Sequence, residues 1–144
     1  MLNDAQRQQA ATLLIEAERT GVPTTQLDQA FPGIEIADAY AIQQHIIASK
    51  LAAGARLRGH KIGLTSKAMQ STVGINEPDY GHLLDTMFFQ DGDTITTEKL
   101  IVPRVEVELA FVLGKPLRGP DVTLFDVLDA TDYVVPALEL IDGR

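Results

Sequence analysis

Two acidic residues stand inside one apolar run and a third inside another. Glu106 and Glu108 lie in Pro103-Arg-Val-Glu-Val-Glu-Leu-Ala-Phe-Val112, and Glu139 lies in Pro136-Ala-Leu-Glu-Leu-Ile141. Both runs read as β-strands. Side chains alternate along a strand, so positions 106 and 108 point to one face. Carboxylates set among Val, Leu, Ile and Phe are costly to bury without compensation. A divalent cation compensates three of them at once, and an all-oxygen donor set favours Mg²⁺ or Mn²⁺ over zinc. Three carboxylates would leave up to three of about six octahedral positions open to water or a chelating ligand. Pro103 and Pro136 each precede a carboxylate by a short step, where a strand tolerates proline, and suggest two strands entering one site in parallel. On pattern alone a second interpretation stays open: Glu106 and Glu108 on a solvated strand face, with Glu139 unrelated.

The chain changes character along its length. Asn3 with Gln6 has the form of a capping box, followed by Ala10, Leu13, Leu14 and Ala17 on one helical face and a stop at Gly21 and Pro23. A second helix is expected over 36–53, with Ile36, Tyr40, Ile47 and Leu51 on its apolar side. A short strand follows over 57–64, then a short helix capped by Thr65 or Ser66 and ending near Val73. Asn76 to Gly81 is rich in turn formers and reads as a loop. The rest is strand-rich: an apolar stretch over 83–89, a turn at Asp91-Gly-Asp93, strands over 100–113 and 133–141, and a helix over 124–130 capped by Thr123 with Asp126. The fold class expected is α+β, with a helical region over 1–75 and a β-rich region over 76–144. The strand over 103–113 carries apolar residues on both faces, and such a sheet needs further layers to cover it. The expectation is that this chain is the front part of a longer protein.

Composition narrows the partners. The 144 residues carry a formal charge of −8 with no stripe of basic residues, which disfavours nucleic acid and anionic lipid. There is no cysteine, hence no disulfide and no thiolate metal site. The N-terminus lacks a signal-peptide pattern, and no apolar run approaches the ~20 residues of a membrane span. A cytoplasmic location is the expectation.

Two further residues are candidates for chemistry. Lys61 lies mid-strand between Gly59 and Gly63, where missing side chains let another backbone or a ligand approach. It could pair with a substrate carboxylate or polarise a carbonyl; a surface lysine at a strand edge fits the same pattern. Asp79 follows Pro78 in the turn-rich segment and could move a proton, although an Asx-turn residue would look alike. His60 alternates to the face away from Lys61, and His82 stands beside Asp79. His45 falls on the second helix and reads as a surface residue. Asp91-Gly-Asp93 lacks the other ligands of a calcium loop. There is no phosphate-binding glycine loop and no nucleophile elbow.

In combination these segments resemble a known family. Gly59-His-Lys-Ile-Gly-Leu-Thr-Ser66, Glu77-Pro-Asp-Tyr-Gly81, Val102-Pro-Arg-Val-Glu-Val-Glu-Leu-Ala-Phe111 and Pro136-Ala-Leu-Glu-Leu-Ile-Asp142 occur in this order in the 2-keto-4-pentenoate hydratase family of the fumarylacetoacetate hydrolase superfamily. Stretches such as His60 to Gln70 and Lys115 to Pro120 point to its members that act on a seven-carbon diacid in 4-hydroxyphenylacetate breakdown. The resemblance covers nearly the whole chain; its motifs are specific as a set and not singly.

The resemblance implies Glu106, Glu108 and Glu139 as ligands of Mg²⁺ or Mn²⁺. It implies Lys61 and Asp79 as the substrate-contacting and proton-handling pair. It implies a mixed β-roll of which this chain holds the first part, a homo-oligomer, and a small 2-oxo acid as substrate. The implied reaction is addition of water to a 2-hydroxy-2,4-dienoate. Decarboxylation of a 2-oxo-3-enedioate, hydrolysis of an acylpyruvate and a non-catalytic fragment are the alternatives. Arg58 or Arg104 would be the basic partner for a distal carboxylate. Members of the family are much longer than this chain.

Overall fold

The capping box expected at Asn3 starts the first helix, α1 (Asp4–Thr20). The Gln6 amide donates to the Asn3 side chain at 2.9 Å and the Asn3 amide donates to the Gln6 side chain at 3.0 Å. Gly21 ends it in the left-handed region at φ 70°, its N–H bonded to the Ala17 carbonyl. A computed structural model describes residues 1–144. The chain divides into two compact units, residues 1–99 with Arg144, and residues 100–143.

In the first unit, a single turn α2 (Leu27–Ala30), which the sequence reading did not anticipate, leads into α3 (Ile36–Ala52). Ala10 and Ala11 let α1 approach α3 closely, and Leu2, Phe31 and Ile42 complete a core flanked by Leu14, Leu27 and Ile46. The buried face of α3 includes the expected Ile47 but departs from the expected side at both ends of the helix. Ile42 and Ile47 are buried with Asp38, whereas Ile36 and Leu51 are 50% and 42% exposed. The phase follows from Asp38. Its fully buried carboxylate accepts from Arg7 at 2.8 and 3.0 Å, from the Leu2 amide at 3.1 Å and from the Glu35 amide at 3.0 Å. A buried charge must be paired, so residue 38 turns inward, and residues 42 and 46 follow on the same stripe.

The rest of this unit is an antiparallel pair, β1 (Leu57–Gly63) with β2 (Asp79–Leu84), joined through α4 (Lys67–Val73). Ser66 caps α4 by accepting from the Met69 amide at 3.2 Å, and Gly74 ends it at φ 72°. Between β1 and α4 the chain reverses at Leu64 (φ 51°), whose carbonyl accepts from the buried Gln70 amide group at 2.7 Å. Residues 79–81 are strand and not the expected loop, because their backbone pairs with Lys61 to Gly63. The expected boundary near residue 75 therefore falls in the connection between two paired strands. Gln43 on α3 fixes β2, donating to the Tyr80 carbonyl at 3.2 Å and sitting 2.9 Å from His82 Nδ1. An amide oxygen only accepts, so Nδ1 carries the proton in that bond. Tyr40 stacks on Tyr80 with ring centroids 4.6 Å apart. Beyond β2, residues 85–87 form a 3₁₀ turn, and Asp91-Gly-Asp93 is a turn closed by the Gln90 amide on the Asp93 carboxylate at 2.7 Å.

The second unit is a ribbon of β3 (Pro103–Leu113) and β4 (Thr131–Asp142), connected through α5 (Leu124–Ala130). Thr123 and Asp126 form the expected capping box on α5. The strands run antiparallel, not parallel as the prolines suggested; Pro103 opens β3 and Pro136 lies inside β4 opposite Leu109. The Asp142 carboxylate accepts from the Ile101 and Val102 amides at 2.9 and 2.8 Å and closes one end. One face of the ribbon is apolar and open: Val107 is 83% exposed and Leu138 74%. No helix is long and apolar enough to cross a membrane.

The pair formed by Asp38 and Arg7 generates a pH prediction. Burial works against the ionised Asp38 carboxyl, but the Arg7 guanidinium and two backbone amides outweigh it and hold its pKa below the usual aspartate value. Its stabilising effect is present above the unfolded value of about 3.9 and is lost as pH falls through the lower folded value. Asp38→Asn is expected to melt below the wild type at neutral pH. The gap should close as pH falls below about 4. Parallel melting curves across that window would contradict it.

Candidate metal centre

The register of the ribbon decides where its acidic residues meet. Glu106 lies directly opposite Glu139, and Glu108 lies opposite Ala137. Residues opposite one another in an antiparallel pair share a face, so the alternation that puts 106 and 108 together also brings 139 to them. The small side chain of Ala137 leaves Glu108 room to lean along the diagonal towards Glu139. One carboxylate oxygen from each of the three lies within 4.8 Å of the others. Glu106 and Glu108 are exposed and Glu139 is half-buried. The third glutamate is therefore not remote from the other two: all three carboxylates gather on one face of the ribbon.

Like charges opposite each other weaken a ladder. At about 4 Å each such pair costs roughly 1 kcal/mol in bulk water and roughly 4 kcal/mol where water is partly excluded. Water around the two exposed carboxylates weakens this repulsion, and covering the cluster would strengthen it. A hard cation would offset it. Ligand distances of about 2.0–2.6 Å keep the oxygens around one ion within about 4–5 Å of each other, and the three carboxylates lie within 4.8 Å of one another. The donor set is carboxylate only, which suits Mg²⁺, Mn²⁺ or Ca²⁺ rather than a thiophilic ion. Arg104 lies opposite Ile141 on the same face.

Lys61 and Asp79 belong to the first unit. Lys61 faces Gly81 across the β1–β2 pair, and Asp79, the first residue of β2, faces Gly63. The alternation of both strands puts Lys61, Gly63, Asp79 and Gly81 on one face, with Lys61 and Asp79 diagonal neighbours, a spacing of about 7–8 Å that long side chains cross. Lys61 is half-buried and Asp79 exposed. His60 and His82 pair on the other face with ring centroids 5.0 Å apart, as the alternation of residues 60 and 61 implied. Sequence reasoning missed Gly81 and Ala137, whose small side chains stand opposite Lys61 and Glu108. Only the strand register reveals them, since nothing local distinguishes either residue.

No family model matches the chain. It is 62% identical over 129 residues to a 2-oxo-hept-4-ene-1,7-dioate hydratase of Escherichia coli, which covers 90% of this chain and 48% of that protein. It is 45% identical over 139 residues to a 2-keto-4-pentenoate hydratase of Paraburkholderia xenovorans strain LB400, covering 96% of this chain and 52% of that protein. Among solved structures, 4-oxalocrotonate decarboxylase from Pseudomonas putida G7, complexed with magnesium and adipate, superposes with a TM-score of 0.91 at 38% identity, covering 99% of this chain and 54% of that one. The same decarboxylase is also known complexed with calcium and acetate. The chain spans about half the length of the curated relatives it matches. Its mixture of helix and strand is part of the fold of these enzymes, and the chain is a relative of the 2-keto-4-pentenoate hydratases, as its motifs implied.

Proposed function

We propose that this protein is a divalent-metal-dependent hydratase of aromatic-compound catabolism that adds water to a 2-hydroxy-2,4-dienoate. The substrate we assign is the dienol of 2-oxo-hept-4-ene-1,7-dioate and the product 4-hydroxy-2-oxoheptanedioate. The observation that carries this reading is the convergence of the Glu106, Glu108 and Glu139 carboxylates within 4.8 Å on one face of the ribbon. The 62% identity to a hydratase, against 43% and 38% to 4-oxalocrotonate decarboxylases, supports hydration over loss of CO₂ from a related 2-oxo-enedioate.

In this reading Glu106, Glu108 and Glu139 hold Mg²⁺, with Mn²⁺ as a functional substitute. A bound ion would supply Lewis acidity towards the 2-oxygen of the substrate. Lys61, an ammonium on a flexible stem, binds and orients the anionic end of the substrate. Asp79 carries protons. Hydration places the hydroxyl of water on C4, while the proton of the 2-hydroxyl and the remaining proton of water end on C5 and C3. A carboxyl group that accepts one and delivers the other balances the reaction without any redox partner. Homo-oligomeric assembly belongs to the same reading.

Two outcomes test this reading. With Mg²⁺, the ultraviolet absorbance of 2-hydroxyhepta-2,4-dienedioate should bleach without release of CO₂. Asp79→Asn should slow this by about 10²–10⁴-fold; full activity in that variant, or CO₂ as the product from an oxo-enedioate, would contradict it. The ligand assignment has a signature of its own. Without divalent ions, Glu106→Gln relieves repulsion and should melt above the wild type. With saturating Mg²⁺ the order should reverse, because an ion at a hundred times its Kd stabilises the intact site by about 2.7 kcal/mol. The same melting order in both conditions would count against Glu106 as a ligand.

A further inference from the structure

We infer that Gly63 and Gly81 are positioning residues, set opposite Asp79 and Lys61, where a side chain at either place would occupy the space those two groups use. The inference rests on the roles assigned above to Lys61 and Asp79. Gly63 faces Asp79 across the β1–β2 pair and Gly81 faces Lys61. A Cβ placed on Gly63 would lie 2.2 Å from the nearer Asp79 carboxylate oxygen and 3.1 Å from Asp79 Cγ. A Cβ on Gly81 would lie 3.0 Å from Lys61 Cγ and 3.5 Å from Lys61 Cδ. The Asp79 side chain therefore lies over Gly63 towards β1, and the Lys61 stem lies over Gly81 towards β2. Each reaches across the ladder, in opposite directions, over the bare backbone of the other strand.

The backbone does not ask for glycine at either place. Neither residue is among the glycines with positive φ, so alanine meets no conformational penalty there. What alanine would meet is a side chain. At Gly63 the obstacle is the end of a short aspartate that can swing to another rotamer, so the fold survives and the carboxylate moves. At Gly81 the obstacle is the lysine stem at the edge of ordinary contact, and a small shift relieves it. Gly59 supplies an internal control. It lies on the same face of the same strand, two residues before Lys61, and nothing stands within 4 Å of a Cβ built on it.

The order of effects is therefore fixed by geometry. Gly63→Ala should lower kcat for diene hydration about a hundredfold, the scale that misplacement by about 1 Å costs an oriented reaction, with Mg²⁺ affinity and melting temperature near the wild type. Gly81→Ala should raise KM a fewfold with little change in kcat. Gly59→Ala should stay within about twofold in both. If Gly63 acts through Asp79, adding Gly63→Ala to Asp79→Asn should cost nothing further, a non-additivity that general destabilisation would not produce. A crystal structure of Gly63→Ala decides the cradle without reference to turnover and should show the Asp79 carboxylate swung away from residue 63. An unmoved carboxylate, or additive losses in the double variant, would overturn the inference. A moved carboxylate with a fully active Asp79→Asn would overturn the role given to Asp79, and with it the catalytic consequence drawn here.

Discussion

The register of β3 against β4 is the constraint on which the acidic face of the ribbon depends. An antiparallel register that sets Glu106 opposite Glu139, with Glu108 one pleat away, forces three negative charges onto one face. A register slip by a single residue would scatter them to both faces. A slip would also break up the apolar set on the other face, where Val105, Val107, Leu109 and Phe111 on β3 and Leu138 on β4 stand in step. One register thus keeps the apolar side chains together and assembles the acidic cluster. A small ion of double positive charge is the simplest group that turns the repulsion within that cluster into cohesion while leaving positions for an anionic, oxygen-rich ligand.

The first unit solves a different problem, which is to hold an ammonium and a carboxyl group on a two-stranded pair that is marginal by itself. Its support comes from α3. Gln43 grips the Tyr80 backbone and the His82 ring, and Tyr40 stacks on Tyr80. These contacts fall on the face of β2 opposite to Asp79, so the strand is anchored from behind. Helix α3 is in turn set in rotation by Asp38, whose buried carboxylate binds Arg7 of α1 and two backbone amides. A chain of polar contacts thus runs from the N-terminal helix to the strand that carries Asp79, and glycines stand opposite Asp79 and Lys61.

How much of this was legible in the residues depends on whether the cause was local. Helix caps at Asn3, Ser66 and Thr123 were legible, because a cap is a bond between residues three apart. The alternation that unites Glu106 with Glu108 was legible for the same reason. The rotation of α3 was not, since it is set by an ion pair to a residue 31 positions away; hydrophobic periodicity alone chose Ile36 and Leu51, which are exposed, over Ile42. The turn chemistry of Asn76 to Gly81 predicts a loop at Asp79, and pairing with β1 overrides it. The direction of β4 was misjudged from prolines that constrain a strand's hydrogen bonding but not its partner's orientation. The grouping of Glu139 with Glu106 depended on register between strands about thirty residues apart. It was anticipated through the resemblance of motifs, not through the physics of either segment.

The most direct measurement of the central claim is a crystal structure grown with Mn²⁺ and examined by anomalous scattering. The account requires one strong peak on the acidic face of the ribbon, with an oxygen of Glu106, Glu108 and Glu139 each at about 2.0–2.3 Å. A manganese ion bound elsewhere, or the three carboxylates turned apart with none between them, would contradict it.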